Sequence, residues 1–132
     1  MPRIAHAVLD SEKGYVASIQ VRRHTLIADE PPSRGGTDAG PVPYELLLSA
    51  LAACTAITLR MAAEHKGWQL GTIRIDLELH KENETGADRI TRAISFTGAL
   101  SAEQKASLAR VAEKTPVTRT IKAGAPIETT FL

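Results

Sequence analysis

The chain contains little of what stabilises small secreted proteins or binds nucleic acids. Its 132 residues include a single cysteine, Cys54, so no disulfide forms within the chain and a disulfide-stapled secreted scaffold is excluded. Aromatic residues make up only 4% of the sequence, too few for a platform on which bases stack. Lys and Arg number 16 against 15 Asp and Glu, so the basic surface typical of nucleic-acid binding is also missing.

Long apolar runs and metal-binding patterns are missing as well. The charge-free stretch between Glu45 and Arg60 is shorter than the roughly 20 residues of a membrane-spanning helix, and no apolar segment of a signal peptide follows Met1. The four histidines lack the spacing of zinc sites. We therefore expect a cytoplasmic protein of one domain, residues 1–132, with no metal or other cofactor and no membrane or nucleic-acid partner.

The hydrophobic pattern predicts an α+β protein. Apolar and polar residues alternate in several short segments, as they do in strands that bury one face. The predicted strands are Tyr15–Arg22, His24–Ala28, Thr72–Lys81, Arg89–Gly98 and Ile127–Leu132. A turn at Asn83–Asp88 joins the third and fourth strands, and the charged residues from His80 to Arg92 are interpreted as a solvated hairpin.

A long helix is predicted in the middle of the chain. It begins near Pro43, carries Glu45 in its first turn and ends at Lys66, before Gly67. Its first four turns are apolar on all sides, and such a helix is buried on all sides. In a domain of this size we expect a second copy of the chain to cover it, which predicts a homodimer.

A second helix begins after Ser101, because Ser101 and Gln104 have the spacing of a capping box. We expect it to end near Thr115, since Pro116 does not continue a helix. The predicted order is therefore strands, long helix, hairpin, helix and strand. The proline- and glycine-rich segment 29–43 is a long loop, and such loops are more often functional than idle.

Cys54 is the only strong nucleophile candidate in the sequence. Two interpretations are open, because a free cysteine is often only a small apolar residue inside a buried helix. Cys54 lies about two and a half turns into the predicted helix, where the helix dipole no longer stabilises a thiolate. A reactive Cys54 therefore needs a cation from elsewhere in the protein, and an arginine is the expected source.

The sequence resembles the OsmC/Ohr family of thiol-dependent hydroperoxide reductases. The resemblance is carried by five segments: Ala28–Pro31, Gly35–Leu48, Ala50–Thr55, Leu59–Met61 and Thr115–Val117. It is strongest for the OsmC-like branch with Pro-Tyr-Glu-Leu at the start of the helix, residues 43–46. The resemblance implies an intertwined α+β homodimer with two sites at the subunit interface. It also implies a thiolate that attacks the peroxide bond and becomes a sulfenic acid.

The resemblance assigns a site residue by residue. Cys54 matches the peroxidatic cysteine. The activating arginine of the OsmC branch corresponds to Arg34, whereas in the Ohr branch it comes from the N-terminal strands, where Arg22 or Arg23 would serve. Arg34 is also compatible with a solvated loop residue.

Two roles of the family are not matched. The glutamate that orients the arginine corresponds by offset to Tyr44, with Glu45 as its neighbour about 100° away on the helix. The resolving cysteine corresponds to Thr115, and a hydroxyl does not form a disulfide. Tyr44 is also compatible with an amphipathic plug at the helix start, and Thr115 with a cap of the turn before Pro116.

We therefore predict a one-cysteine peroxidase that reduces organic hydroperoxides and is recycled by an external thiol. An apolar pocket lined by Leu51, Ile57 and Met61 at the subunit interface favours alkyl or lipid-like peroxides over hydrogen peroxide. Two alternatives are open: a catalytically silent dimer that binds a small apolar ligand, and a redox sensor in which oxidation of Cys54 changes the dimer without turnover.

Overall fold

The computed structural model describes residues 2–10, 14–81 and 86–132. The chain divides into two compact units, Met1–Leu47 and Leu48–Leu132. The single-domain organisation stays a prediction, and one cooperative unfolding transition seen with independent probes is the test of it.

The first unit contains a three-stranded antiparallel sheet. Its strands are β1 (His6–Val8), β2 (Ala17–Val21) and β3 (His24–Ala28), in the order β1-β2-β3. In β2 the residues Ala17, Ile19 and Val21 are partly buried, while Ser18 and Gln20 are exposed, which confirms the predicted alternation. Val21 pairs with His24, so Arg22 and Arg23 form a two-residue turn with Arg22 at a φ of +54°.

The segment after β3 is a loop with one 3₁₀ turn, Pro32–Arg34. Asp29 is almost fully buried, and Gly36 lies against the backbone of Glu30 so closely that a Cβ at position 36 would collide with the Glu30 carbonyl oxygen. The loop is therefore folded tightly on itself.

The long helix α1 covers Pro43–Lys66, within a residue or two of the prediction. At its start, the backbone N–H of Val42 donates to Glu45 Oε1 over 2.8 Å. At its end, the N–H of Gly67 donates to the carbonyl of Glu64 and that of Trp68 to the carbonyl of Ala63. This pair of bonds is a Schellman motif, and it uses the φ of +70° that Gly67 adopts without strain.

By length and composition alone, α1 is long and apolar enough to cross a membrane. The core helix of a soluble protein passes the same test. In this chain the side of α1 formed by Leu51, Thr55, Leu59 and Ala63 is buried within the protein.

The second unit also contains an antiparallel hairpin, formed by β4 (Ile73–Lys81) and β5 (Asp88–Phe96). The predicted turn at Asn83–Asp88 lies largely outside the described residues. The partly buried positions alternate along both strands, so one face of the hairpin is turned inward. The inward positions of β5 are Ile90, Arg92, Ile94 and Phe96.

Two short helices follow the hairpin, α2 (Ala102–Ala112) and α3 (Pro116–Ala123). The capping box predicted for Ser101 and Gln104 is present, with both reciprocal hydrogen bonds. The sequence pattern predicts no helix at α3, because a proline such as Pro116 is typical of the end of a helix. A proline also fits the first turn of a helix, and Thr115 caps α3 in front of it.

The predicted strand at Ile127–Leu132 is wrong, since residues 124–132 form neither strand nor helix. The side chains of Ile127, Phe131 and Leu132 are fully exposed or nearly so. A strand exists only when another strand pairs with it, and within the described residues no strand lies beside this segment. The core of the second unit is formed instead by buried residues of α1, α2 and the turn before β4: Leu59, Ala63, Leu70, Leu108 and Ala112.

Candidate active site

Cys54 lies on α1 at the boundary between its buried and its exposed side. The thiol is partly buried, and its Sγ is 3.9 Å from the Thr58 Oγ1, one turn further along the helix. Thr55, the next residue, is fully buried. Ala53, the preceding residue, is exposed. A small reactant in solvent therefore has access to this part of the helix.

The candidate arginines belong to the first unit. Arg34 is exposed and ends the 3₁₀ turn, with its backbone N–H donating to the carbonyl of Pro31 over 2.9 Å. Arg22 and Arg23 are exposed at the β2–β3 turn. The action of any of these cations on Cys54 stays a prediction.

Asp29 organises the loop that carries Arg34. Its carboxylate accepts hydrogen bonds from the N–H groups of Glu30 (2.7 Å), Thr37 (3.1 Å) and Ala39 (3.0 Å), and from the Thr37 hydroxyl (2.7 Å). These bonds, led by those from Ala39 and from the Thr37 hydroxyl, lower the pKa of Asp29 to about 2. The carboxylate is therefore charged at neutral pH and holds both sides of the loop.

Tyr44 and Glu45 lie in the first turn of α1. The Glu45 carboxylate accepts from the backbone of Val42, so it caps the helix. The Tyr44 side chain is 48% exposed. A role for either residue in orienting an arginine stays a prediction.

The three residues expected to line a substrate pocket lie on two sides of α1. Leu51 is buried, whereas Ile57 and Met61 are more than half exposed. Ile57 and Met61 line an open groove, together with Arg60, Glu64 and residues 71–73. Arg60 donates from Nη2 to the carbonyl of Gly71 over 2.8 Å, which joins the two walls of the groove. A pocket shared by all three predicted residues stays a prediction.

Thr115 belongs to a buried polar network. Its hydroxyl lies 2.6 Å from the Thr118 hydroxyl, and the Thr115 side chain accepts from the backbone N–H of Thr118. Both threonines are buried. Thr115 is thus the N-cap of α3, which goes beyond the expected cap of a turn before Pro116. Its correspondence to the resolving position of the family stays a prediction.

The centre of the network is Arg92 of β5, whose side chain is only 13% exposed. Its Nη1 donates to Thr55 Oγ1 over 3.0 Å and to Thr118 Oγ1 over 2.9 Å, and its Nη2 donates to the carbonyl of Ala112 over 3.0 Å. The interpretation of the His80–Arg92 charges as a solvated hairpin is therefore wrong for Arg92. The residue points inward and binds α1, α2 and α3 at once.

A signal for Arg92 was present in the sequence. Arg92 stands two residues from both Ile90 and Ile94, so the strand period places it on the apolar face of β5. Thr55 had a similar signal, since it lies four residues from both Leu51 and Leu59 on the buried side of α1. Because both residues are polar, the pattern of apolar residues alone does not indicate that their side chains are buried.

Among the described residues, no group of three or more His, Cys, Asp or Glu side chains could hold a metal ion. Every buried side-chain nitrogen or oxygen in the described part of the chain has a hydrogen-bond partner.

Comparison with known proteins places the chain in a family. The sequence profile described as OsmC-like protein matches residues 36–130. This match covers most of the chain, including α1 with Cys54. The chain belongs to the OsmC-like family, as the resemblance in the sequence predicted, and the α+β fold class is confirmed by solved structures of the same fold. No curated protein matches the sequence.

Solved structures with this fold include an OsmC-like protein from Mycoplasma pneumoniae, 21% identical with a TM-score of 0.79, the match covering 94% of this chain and 89% of that one. An organic hydroperoxide resistance protein OsmC from Legionella pneumophila is 19% identical, with a TM-score of 0.69 and coverage of 92% and 90%. The organic hydroperoxide resistance protein OhrB of Bacillus subtilis is 20% identical, with a TM-score of 0.63 and coverage of 94% and 93%. At these identities the likeness shows the fold.

Proposed function

We propose that this protein is a one-cysteine peroxidase that reduces organic hydroperoxides. The observation that carries the proposal is the position of Cys54, the chain's only cysteine, partly buried on the helix of an OsmC-like protein. Two proteins of the same fold are named for organic hydroperoxide resistance. The exposed apolar side chains of Ile57 and Met61, one and two turns beyond Cys54, favour an alkyl peroxide over hydrogen peroxide.

The first step is attack of the Cys54 thiolate on the peroxide. The sulfur takes the distal oxygen of ROOH as the O–O bond breaks, and the alkoxide leaves with a proton as ROH. Sulfur is oxidised to the sulfenic acid and the peroxide is reduced to an alcohol. Arg34 is the proposed cation that stabilises the thiolate.

The second step uses a thiol from solution. Cys54 is the only cysteine of the chain and a threonine, Thr115, stands at the resolving position, so the chain supplies no second thiol for an internal disulfide. An external thiol RSH attacks the sulfur of the sulfenic acid, which releases water and forms a mixed disulfide between Cys54 and RSH. A second RSH then attacks the RSH-derived sulfur of this disulfide and releases RSSR. These steps restore the Cys54 thiol. A cytoplasmic location fits them, because small thiols are kept reduced there.

We further propose that the active form is a homodimer. Along α1 the residues Ala50, Ala53, Ile57 and Met61 form an exposed stripe at helical spacing. Burying such a stripe in a second copy removes apolar surface from water. The exposed stripe borders Cys54, so the partner chain would form part of the substrate site.

The test is a limiting dose of an organic hydroperoxide, such as cumene hydroperoxide, added to the reduced protein. We expect a sulfenic acid at Cys54, trapped by a dimedone probe and located by mass spectrometry, and release of one alcohol per subunit. Catalytic consumption should then need an added thiol and should vanish in Cys54→Ser. Equal consumption by Cys54→Ser would exclude this function.

A second candidate function is binding of a small apolar ligand without catalysis. It is favoured by an open cavity of about 340 Å³ in the second unit, lined by Leu59, Ile94, Phe96 and Leu108 together with Ser95, Gly98, Lys105 and Ala109. In that case the dose of peroxide leaves Cys54 as a free thiol, while an apolar fluorophore binds equally well to the wild type and to Cys54→Ser. A sensor would form the sulfenic acid once and show no turnover with added thiol.

A further inference from the structure

The buried side of α1 is apolar except at one position. Leu51, Thr55, Leu59 and Ala63 follow one another at intervals of four residues and are all buried. Apolar contacts of this kind are non-directional, so they specify the rotation of the helix about its axis less strictly than a hydrogen bond does. A hydrogen bond is directional, and Thr55 makes one with Arg92.

Thr55 is held from two directions. Its hydroxyl donates to the carbonyl of Leu51 over 2.7 Å and accepts from Arg92 Nη1 over 3.0 Å. The side chain is fully buried, so no water competes for these bonds. The orientation of this turn of α1 is therefore fixed relative to β5.

Arg92 itself has little freedom. The same Nη1 also binds Thr118 in α3, and Nη2 binds the carbonyl of Ala112, the last residue of α2. The negative end of the α2 dipole and the carboxylate of Glu113, 3.7 Å from Nη2, balance the buried charge. A guanidinium bound to three helices is a rigid anchor.

We propose that Arg92 is a positioning residue for Cys54. By binding Thr55 it sets the rotation of α1, and Cys54 is the adjacent residue, about 100° around the same helix. The thiol lies between the buried and the exposed side of α1, so a small rotation there changes its access to solvent. This inference rests on the proposed function only for the chemical role of Cys54.

The test is a pair of double-mutant cycles. Arg92→Met removes the guanidinium while keeping much of the side-chain volume. Thr55→Val removes the acceptor next to Cys54, and Thr118→Val removes the matched acceptor of the same nitrogen in α3. The readout is the rate of Cys54 alkylation by iodoacetamide in the folded protein, measured at several low urea concentrations and extrapolated to none.

We expect Arg92→Met and Thr55→Val each to change the alkylation rate by about threefold or more, and the double variant to change it no further. Thr118→Val should lower the unfolding midpoint but leave the alkylation rate unchanged. Equal effects of Thr55→Val and Thr118→Val on the alkylation rate, or none from Thr55→Val, would overturn the proposal.

If Arg92→Met does not fold, the comparison of Thr55→Val with Thr118→Val decides alone. Alkylation requires a thiol but no peroxidase activity, so a failure of the proposed function leaves this readout intact. A thiol that responds to Thr55→Val but is never oxidised by peroxide would refute the peroxidase and support the positioning role.

Discussion

The carboxylate of Asp29 accepts a 2.7 Å hydrogen bond from the hydroxyl of Thr37, eight residues further along the chain. The same oxygen also accepts the backbone N–H groups of Thr37 and Ala39. One buried side chain thus accepts three of the hydrogen bonds in a loop that contains no strand or α-helix. The 3₁₀ turn that ends at Arg34 lies between Asp29 and Thr37 in this loop.

We predict that Asp29→Ala loosens the loop. The N–H groups of Thr37 and Ala39 lose their acceptor, so their protection from hydrogen exchange should fall while that of β4 and β5 amides is unchanged. Thr37→Val, which removes only the hydroxyl donor, should have a smaller effect. Unchanged protection of both amides in Asp29→Ala would contradict this account.

The pKa of Asp29 predicts a dependence of stability on acid. Because hydrogen bonds to the charged form lower this pKa from 3.8 to about 2, the folded state favours the carboxylate and the unfolded state takes up the proton first. The stabilisation is complete above pH 3.8 and is lost as the pH falls towards 2. The difference in unfolding midpoint between the wild type and Asp29→Asn should therefore shrink over this interval. A constant difference from pH 5 to pH 2 would count against the hydrogen-bonded carboxylate.

Thr115 gives a prediction about stability. Thr115→Ala removes the N-cap of α3 and one member of the buried network, so we expect it to lower the free energy of unfolding by about 1–3 kcal/mol. Thr115→Ser keeps the hydroxyl and should lose clearly less. Urea denaturation followed by circular dichroism measures both variants. If the alanine and serine variants unfold at the same midpoint, the hydroxyl does not stabilise the fold.

The three candidate arginines can be separated by their effect on Cys54 oxidation. We predict that Arg34→Ala slows sulfenic acid formation by at least about tenfold, as loss of a charge-stabilising group does in other active sites. Arg22→Ala and Arg23→Ala are matched controls from the same unit and should react at the wild-type rate. Stopped-flow measurements with a limiting organic hydroperoxide give these rates. If only Arg22→Ala or Arg23→Ala slows sulfenic acid formation, the activating cation is the arginine of the β2–β3 turn and not Arg34.

Much of the fold could be predicted because its signals are local. Pro43 and Gly67 mark the ends of α1 through backbone geometry that neighbouring residues determine. The capping box of Ser101 and Gln104 is another local device. α3 was missed because Thr115 and Pro116 start a helix with the residue types that also end one. The strand at Ile127–Leu132 failed because pairing requires a partner that no local pattern supplies.

The candidate site could be predicted only in part. Cys54 is found by counting, since no other residue offers a thiol. The Arg92 network was missed because it joins residues from 55 to 118 through tertiary structure. Strand alternation indicates that Arg92 points inward, but it does not indicate which hydroxyl groups accept hydrogen bonds from it. The sequence alone therefore does not predict the network.

The exposed stripe on α1 has a consequence for how this protein behaves on dilution. If subunit association covers Ala50, Ala53, Ile57 and Met61, it stabilises the folded form by mass action. The melting temperature then rises with protein concentration. At protein concentrations below the dissociation constant the subunits would separate, and the exposed stripe on α1 would be in contact with water. The specific activity measured at low protein concentration would then depend on the fraction of dimer as well as on the rate of the reaction at Cys54.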